Sequence, residues 1–275
     1  MLLTLVTVSI YVVATYPLDF GPRFWNNPAA WVEYPKAAPP AWTTLFTSAR
    51  SVQHMTFEAS TPREVSRMDG GEVRLYAFST EYLFDEAPNF VSLTVSNVTY
   101  HSEPPIITVV IVRPDGRELV LYRHAVSGPR LNEEPPISRY GETPFRVYLS
   151  GDESVASAVS DFYRNEFGID LPSRELRWSV DRAIFGQPVE GGFEVLKGIY
   201  GIMVELTVYD PSDSVGFIRF TIGGSVYGLM GTDGLGRDLA VGLLFGFPVA
   251  LTIGIVTATL TTFAGTLLGI LGGYV

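Results

Sequence analysis

Three histidines, His54, His101 and His124, stand alone in strand-like or loop stretches, and no His-Glu-x-x-His pair is present to hold a catalytic zinc. The chain has no Cys, which excludes disulfides, thiolate nucleophiles and Cys-ligated zinc. No Gly-x-Ser-x-Gly nucleophile elbow occurs. Asp210 and Asp213 lack the regular oxygen spacing of a calcium loop and read as a turn. Glu133-Glu134, set beside prolines, reads as a solvated loop. A P-loop needs Lys directly after Gly, but Lys36 follows Pro35 and Lys197 follows Leu196. The residues therefore argue against catalysis, and no cofactor or metal is expected. Asn97-Val98-Thr99 is a glycosylation sequon, which fits an exterior location.

One segment has a different character. Gly231-Thr232-Asp233-Gly234-Leu235-Gly236-Arg237-Asp238 combines three glycines with the last charges of the chain. Part of it reads as a turn in which Thr232 or Asp233 caps a following helix. A cap needs neither Arg237 nor Asp238, and charges at a membrane edge are held there by partners.

The charge distribution makes this edge visible. There are 29 acidic and 19 basic residues, a net charge of −10, which would repel phosphate backbones and excludes a nucleic-acid partner. No charge precedes Asp19 and none follows Asp238, so 18 and 37 uncharged residues bracket a charged middle. Apolar runs of about 18 or more residues are membrane-span candidates. Residues 1–16, stopped by Pro17, would rise only about 24 Å as a helix. Either residues are missing upstream or Leu18 and Phe20 complete the span; a cleaved signal peptide is the rival, but the basic n-region is lacking.

Residues 17–46 are rich in Pro and aromatics, including Trp25, Trp31 and Trp42, and read as an interfacial linker. Such rings suit either an aromatic belt or a cap on the next domain. Residues 47–224 read mainly as strands. Glu72–Ser79 and Phe90–Tyr100 alternate, and Arg113-Pro114-Asp115-Gly116-Arg117 predicts a hairpin between Ile106–Val112 and Glu118–Val126. A second hairpin is predicted between Ile199–Tyr209 and Val215–Ile222. One accessory helix is expected after a capping box at Ser150-Gly151-Asp152-Glu153, with Val155, Val159, Phe162 and Phe167 on its apolar face and Gly168 at its end. Residues 225–246 would hold the charged turn and a short interfacial helix from Gly234 to Phe245. A break at Gly246-Phe247-Pro248 would open a second span over 247–275. In that span Gly265, Gly269 and Gly273 recur every four residues, a row that lets another helix approach closely.

Tyr227-Gly228-Leu229-Met230-Gly231-Thr232-Asp233-Gly234-Leu235-Gly236-Arg237-Asp238 resembles the Leu-Gly-Thr-Asp-x-x-Gly-Arg-Asp segment of dipeptide/oligopeptide ABC importer permeases of the C type. Gly246 matches a family glycine, and residues 265–274 are similar to the end of the family's second span. Residues 27–46 are also similar to archaeal members. The chain departs from the family at Gly242, where an Arg is usual, and at Pro248 and Ala250, where Arg and Ser are usual. The patterning predicts two transmembrane helices flanking a mainly-β, sandwich-like domain, and the resemblance implies the N-terminal part of a permease in which that domain is extracytoplasmic, a departure from the family's shorter usual loop. It also implies partners: a second permease, ABC ATPase subunits that hydrolyse the ATP, an extracytoplasmic substrate-binding protein and membrane lipid. The charged segment would then lie in the outer gate region, in the plasma membrane. The competing expectation is a surface-anchored β-sandwich adhesion or envelope protein tethered by its apolar ends.

Overall fold

The computed structural model describes residues 2–16, 19–176 and 179–274, with the side chains of Leu2 and Pro22 excepted. Pro17 and Leu18, to which a stop and a span extension were assigned, lie outside the described residues, as do Met1 and Val275 at the outer ends of the two expected spans. The chain forms two units, one of residues 42–226 and one of residues 1–41 with 227–275.

The first unit is mainly β and sandwich-like. Its strands are β1 (Met55–Ala59), β2 (Glu64–Met68), β3 (Gly71–Tyr82), β4 (Phe90–Ser96), β5 (Val98–Tyr100), β6 (Ile106–Val112), β7 (Glu118–Ala125), β8 (Ile137–Arg139), β9 (Phe145–Tyr148), β10 (Gly186–Val189), β11 (Gly192–Val195), β12 (Gly198–Val208) and β13 (Phe217–Gly223). A five-stranded antiparallel sheet runs β2-β3-β12-β6-β7 and a four-stranded one β1-β13-β4-β9. Two ribbons, β10-β11 and β5-β8, complete it. Period-2 patterning explains the core: Tyr200, Ile202, Val204, Leu206 and Val208 of β12 all point inward. Val91, Leu93 and Val95 of β4 and Ile218, Phe220 and Ile222 of β13 supply buried side chains from the other sheet. Asn97, with φ of 52°, separates β4 from β5 within the stretch expected to be one alternating strand.

The hairpin of β6 and β7 forms as expected, with Val112 opposite Glu118. The second hairpin does not. β12 and β13 belong to different sheets, so residues 209–216 turn a corner between layers. The cause is long-range. Asp213, 3% exposed, accepts from the His101 backbone N–H at 2.8 Å, and Arg74 donates to the carbonyls of Pro211 and Asp213. Those contacts tie the link to β5 and β3.

The accessory helix α3 (Glu153–Phe167) follows two apolar helical segments of the other unit in chain order, α1 (Leu2–Thr15) and α2 (Pro28–Trp31). It packs on β7 through buried Val155, Val159, Phe162 and Tyr163, and Gly168 ends it at φ 67°. Its cap is corrected. Asp152 is the N-cap, accepting from the Ser154 and Val155 N–H groups, because the Ser150 hydroxyl donates instead to Asp181 at 2.5 Å. Two further short helices, α4 (Ser173–Leu176) and α5 (Val180–Ile184), replace the expectation of a single one.

The second unit contains α1, α2 and α6 (Leu239–Tyr274). Here the expected interfacial helix and break are overturned. Residues 234–238 are not helical, and α6 runs without interruption through Pro248. Proline is tolerated inside such helices where the freed backbone groups find other partners. The carbonyl left without its N–H donor is that of Leu244, and Thr252 donates its hydroxyl to Pro248's own carbonyl at 2.8 Å. Among the described helices α6 alone is long and apolar enough to cross a membrane, with about 54 Å of rise. The 14 residues of α1 rise about 21 Å, short of a hydrocarbon core of about 30 Å.

Candidate functional site

The residues singled out at 231–238 form one compact turn, seated on the aromatic stretch of the same unit. Glycine is required twice. Gly231 has φ of 75°, and a Cβ there would run into the Ala38 carbonyl; Gly236 has φ of 84°, and its Cβ would lie 2.9 Å from the Trp31 carbonyl. Between them, buried Thr232 stitches the turn to residues 35–38. Its Oγ1 accepts from Ala38 N–H at 2.9 Å and donates to the Pro35 carbonyl at 2.7 Å, while its own N–H donates to the Ala38 carbonyl at 2.9 Å. A hydroxyl that both donates and accepts is needed here, which Val in the same volume could not supply.

Asp233 organises the other half of the turn. Its Oδ1 accepts from the Leu235 and Arg237 N–H groups, each at 2.9 Å, and its Oδ2 from Arg237 Nε at 2.7 Å. Burial alone would raise the carboxyl pKa, but these donors and the guanidinium charge hold it below the usual carboxylate range. Arg237 also lies over the Trp25 ring, 4.6 Å from its centroid. The helix cap falls to neither expected residue: Asp238 Oδ1 accepts from Ala240 N–H at 2.8 Å and so caps α6. Arg237 thus reaches the aromatic stretch and Asp238 the helix start.

Residues that the sequence reading did not connect to this turn provide its seat. Trp31 donates its indole N–H to the Phe24 carbonyl at 2.9 Å, and Trp25 packs edge-on against Trp31. Gly242 receives the Trp25 ring so closely that any Cβ would collide with it. Phe245, one helical turn on, stacks on Phe20 at 3.7 Å, where α1 and α6 pack together. The clue available in sequence was Gly242, in place of a usual Arg, with three Trp upstream.

The other sequence candidates lie apart from this turn. Gly265, Gly269 and Gly273 share α6, and a Cβ at any of them would meet nothing within 4 Å. Asn97 is exposed at its strand break in the β unit. Among the described residues, three ligand atoms come within 4.8 Å of one another only at His101, Asp210 and Asp213. Both Asp213 oxygens already accept hydrogen bonds, Oδ1 from His101 and Oδ2 from Asp210 N–H, so the cluster is explained by anchoring the 209–216 corner. The Ser212 N–H holds the Asp210 carboxyl below its ordinary pKa.

No protein-family model and no curated protein matches the chain. Among solved structures, the infectious bursal disease virus Gx strain is 12% identical, with 63% of this chain and 33% of that chain covered and a TM-score of 0.25. The Gt strain is 10% identical over 64% and 30%, with a TM-score of 0.22. TmCBM61 in complex with β-1,4-galactotriose is 8% identical over 68% and 92%, with a TM-score of 0.19. The chain thus spans about a third of the length of the two viral chains, and none of the three similarities decides its fold or function.

Proposed function

We propose that this chain is a permease subunit of a binding-protein-dependent ABC importer for di- or oligopeptides. In this reading α1 and α6 are its first two membrane helices, set in the plasma membrane, and the β unit is extracytoplasmic. A second permease would complete the translocation path, separate ATPase subunits would hydrolyse ATP, and a substrate-binding protein would deliver cargo. The observation that carries the reading is the turn at 231–238. Each residue that resembles the permease segment has a specific geometric task there, and the turn ends in the Asp238 cap of a long apolar helix. Such a turn is a structural latch at a membrane edge and offers no cargo-binding groups. The exposed sequon at Asn97 fits an outer location for the β unit. The open glycine row on α6 fits a helix that packs against another subunit.

Uptake of a labelled tripeptide in cells with this gene deleted tests the proposal. Uptake should fall to background, return with the wild-type gene and return only partly with Arg237→Ala. Undiminished uptake in the deletion strain would reject the transporter and leave the tethered β-sandwich.

A further inference from the structure

The β unit contains a cavity of about 460 Å³ between the 85–89 loop, α5 and β11. Its lining is mixed. Phe193 and Val195 give it one apolar wall, whereas Asp85, Glu86, Asp181 and Arg182 bring charge to the others. Sequence reading gave none of these residues a role, and the turn at 231–238 uses none of them.

The charges do not cancel. Asp85 is ion-paired with Lys197 and accepts from Arg50 N–H, so its charge is balanced. Glu86 is hydrogen-bonded by Val52 N–H and the Ser225 hydroxyl, neither of which carries charge. Among the described residues Asp181 has the Ser150 hydroxyl as its one side-chain donor, and that hydroxyl is itself fixed by accepting from Val91 N–H at 2.6 Å. Among the described residues of the lining, Arg182 alone stands against Glu86 and Asp181. With Asp181 ionised, the described lining is left one negative charge in excess, and a partly buried carboxylate with one neutral donor is a poor resting state.

A bare metal ion is not the natural counter-charge. These carboxylates do not gather three oxygens within the 4.8 Å at which His101, Asp210 and Asp213 do. Nor does an ion need several hundred Å³ or an apolar wall. An organic cation needs both, because its ammonium donates to separated acceptors while its carbon chain lies on Phe193 and Val195.

We infer that this cavity binds a small organic ammonium, a primary amine carried on a short apolar chain. The ammonium sits at Asp181 and Glu86, and the chain lies along β11. Tyr82, Asp85, Glu86, Arg182 and Lys197 are the titratable neighbours, and burial pushes the Asp181 carboxyl up to about 6. The site therefore loses its excess charge in mild acid, and the amine loses its partner.

The experiment is calorimetric titration of the full chain in detergent with n-butylammonium, using n-butyrate and n-butanol as anionic and neutral controls. Butylammonium should bind at pH 7.5 and bind at least fivefold more weakly at pH 5.0, with neither control binding. Asp181→Asn, which keeps an acceptor for Ser150, should weaken binding at least fivefold at pH 7.5 and remove the pH dependence. Val195→Lys places an ammonium of its own beside the cavity and should abolish binding, so the inference stays testable if Asp181→Asn fails to fold. Equal binding of butanol or butyrate, no binding of butylammonium, or full affinity in both variants would overturn it.

Discussion

The carboxylate of Asp233 accepts from Arg237 twice, from its backbone N–H at 2.9 Å and from its guanidinium Nε at 2.7 Å. One residue thus fixes both the path of the chain and the direction of the side chain, which then lies over Trp25. The pair is about a quarter exposed, so its ion-pair energy is modest, and the ring contact adds a similar amount; together they are worth about 1–2 kcal/mol. Arg237→Ala should therefore speed amide exchange at Arg237 and Ala240 about tenfold while leaving the β unit untouched. Arg237→Lys should recover only part of the protection, since an ammonium cannot present Nε to Asp233 and a flat face to Trp25 together. Exchange rates unchanged in Arg237→Ala would show that the turn is held by Thr232 alone.

Gly242 and Trp25 give a second, independent test of the same seat. A methyl group at 242 collides with the six-membered ring of Trp25, which is already confined by Arg237 and Trp31. Overpacking of this kind costs about 1–3 kcal/mol. Gly242→Ala should shift Trp emission and lower the melting temperature. In combination with Trp25→Ala it should cost almost nothing further, a non-additivity that reports direct contact. Additive losses would mean that the ring is not what fills the space above Gly242.

Arg113 was expected only as a flank of the β6–β7 turn, yet its side chain is fully buried. Its guanidinium donates to the carbonyls of Ala183 at 3.1 Å, Ile184 at 2.9 Å and Gly186 at 2.7 Å, closing the C-terminal end of α5. Those of Ala183 and Ile184 are carbonyls that a helix end leaves without intrahelical partners, and Gly186 opens β10. Arg113→Met should destabilise the β unit by about 3 kcal/mol, because an apolar chain strands the buried Ile184 carbonyl and leaves those of Ala183 and Gly186 to the Tyr163 hydroxyl. Denaturant unfolding followed by near-ultraviolet circular dichroism measures it. A loss under about 1 kcal/mol would mean that water replaces the guanidinium.

What could be read from the sequence was what is decided locally. The β6–β7 hairpin follows from five consecutive residues around Pro114 and Gly116, and Gly168 ends α3 because only a left-handed residue fits there. The β12–β13 corner was not legible, since Asp213 is held by His101, which is 112 residues away. The capping box puts the cap at Ser150, and the structure puts it at Asp152. The choice was made by Asp181, which engages the Ser150 hydroxyl across 31 residues. Pro248 breaks helices in water, but in α6 it lies in a helix without a charged residue. The turn at 231–238 stood out as a unit by its glycines and charges. Its seat on Trp25, Trp31 and Ala38 did not, because almost 200 residues separate the two stretches.

Asp181 gives a prediction that depends on pH. Burial raises its carboxyl to about 6, against the opposing hydrogen bond from Ser150, while an unfolded Asp titrates at about 3.9. Between those values the native chain holds the proton more tightly than the unfolded chain does. This group's contribution to stability is therefore full below pH 4 and is lost as pH rises through 6. Two pKa units correspond to about 2–3 kcal/mol. Asp181→Asn keeps the acceptor for Ser150 but cannot ionise, so it escapes this loss. The variant and wild type should melt alike at pH 4, and the variant should melt about 4–10 °C higher at pH 7. Taking the difference between the two proteins cancels the opposite trend of paired carboxylates such as Asp233, whose stabilisation is lost as pH falls. Melting of the full chain in detergent, followed by near-ultraviolet circular dichroism at both pH values, makes the comparison. A difference that stays constant from pH 4 to pH 7 would place Asp181 in contact with water or with a cation, ionised throughout.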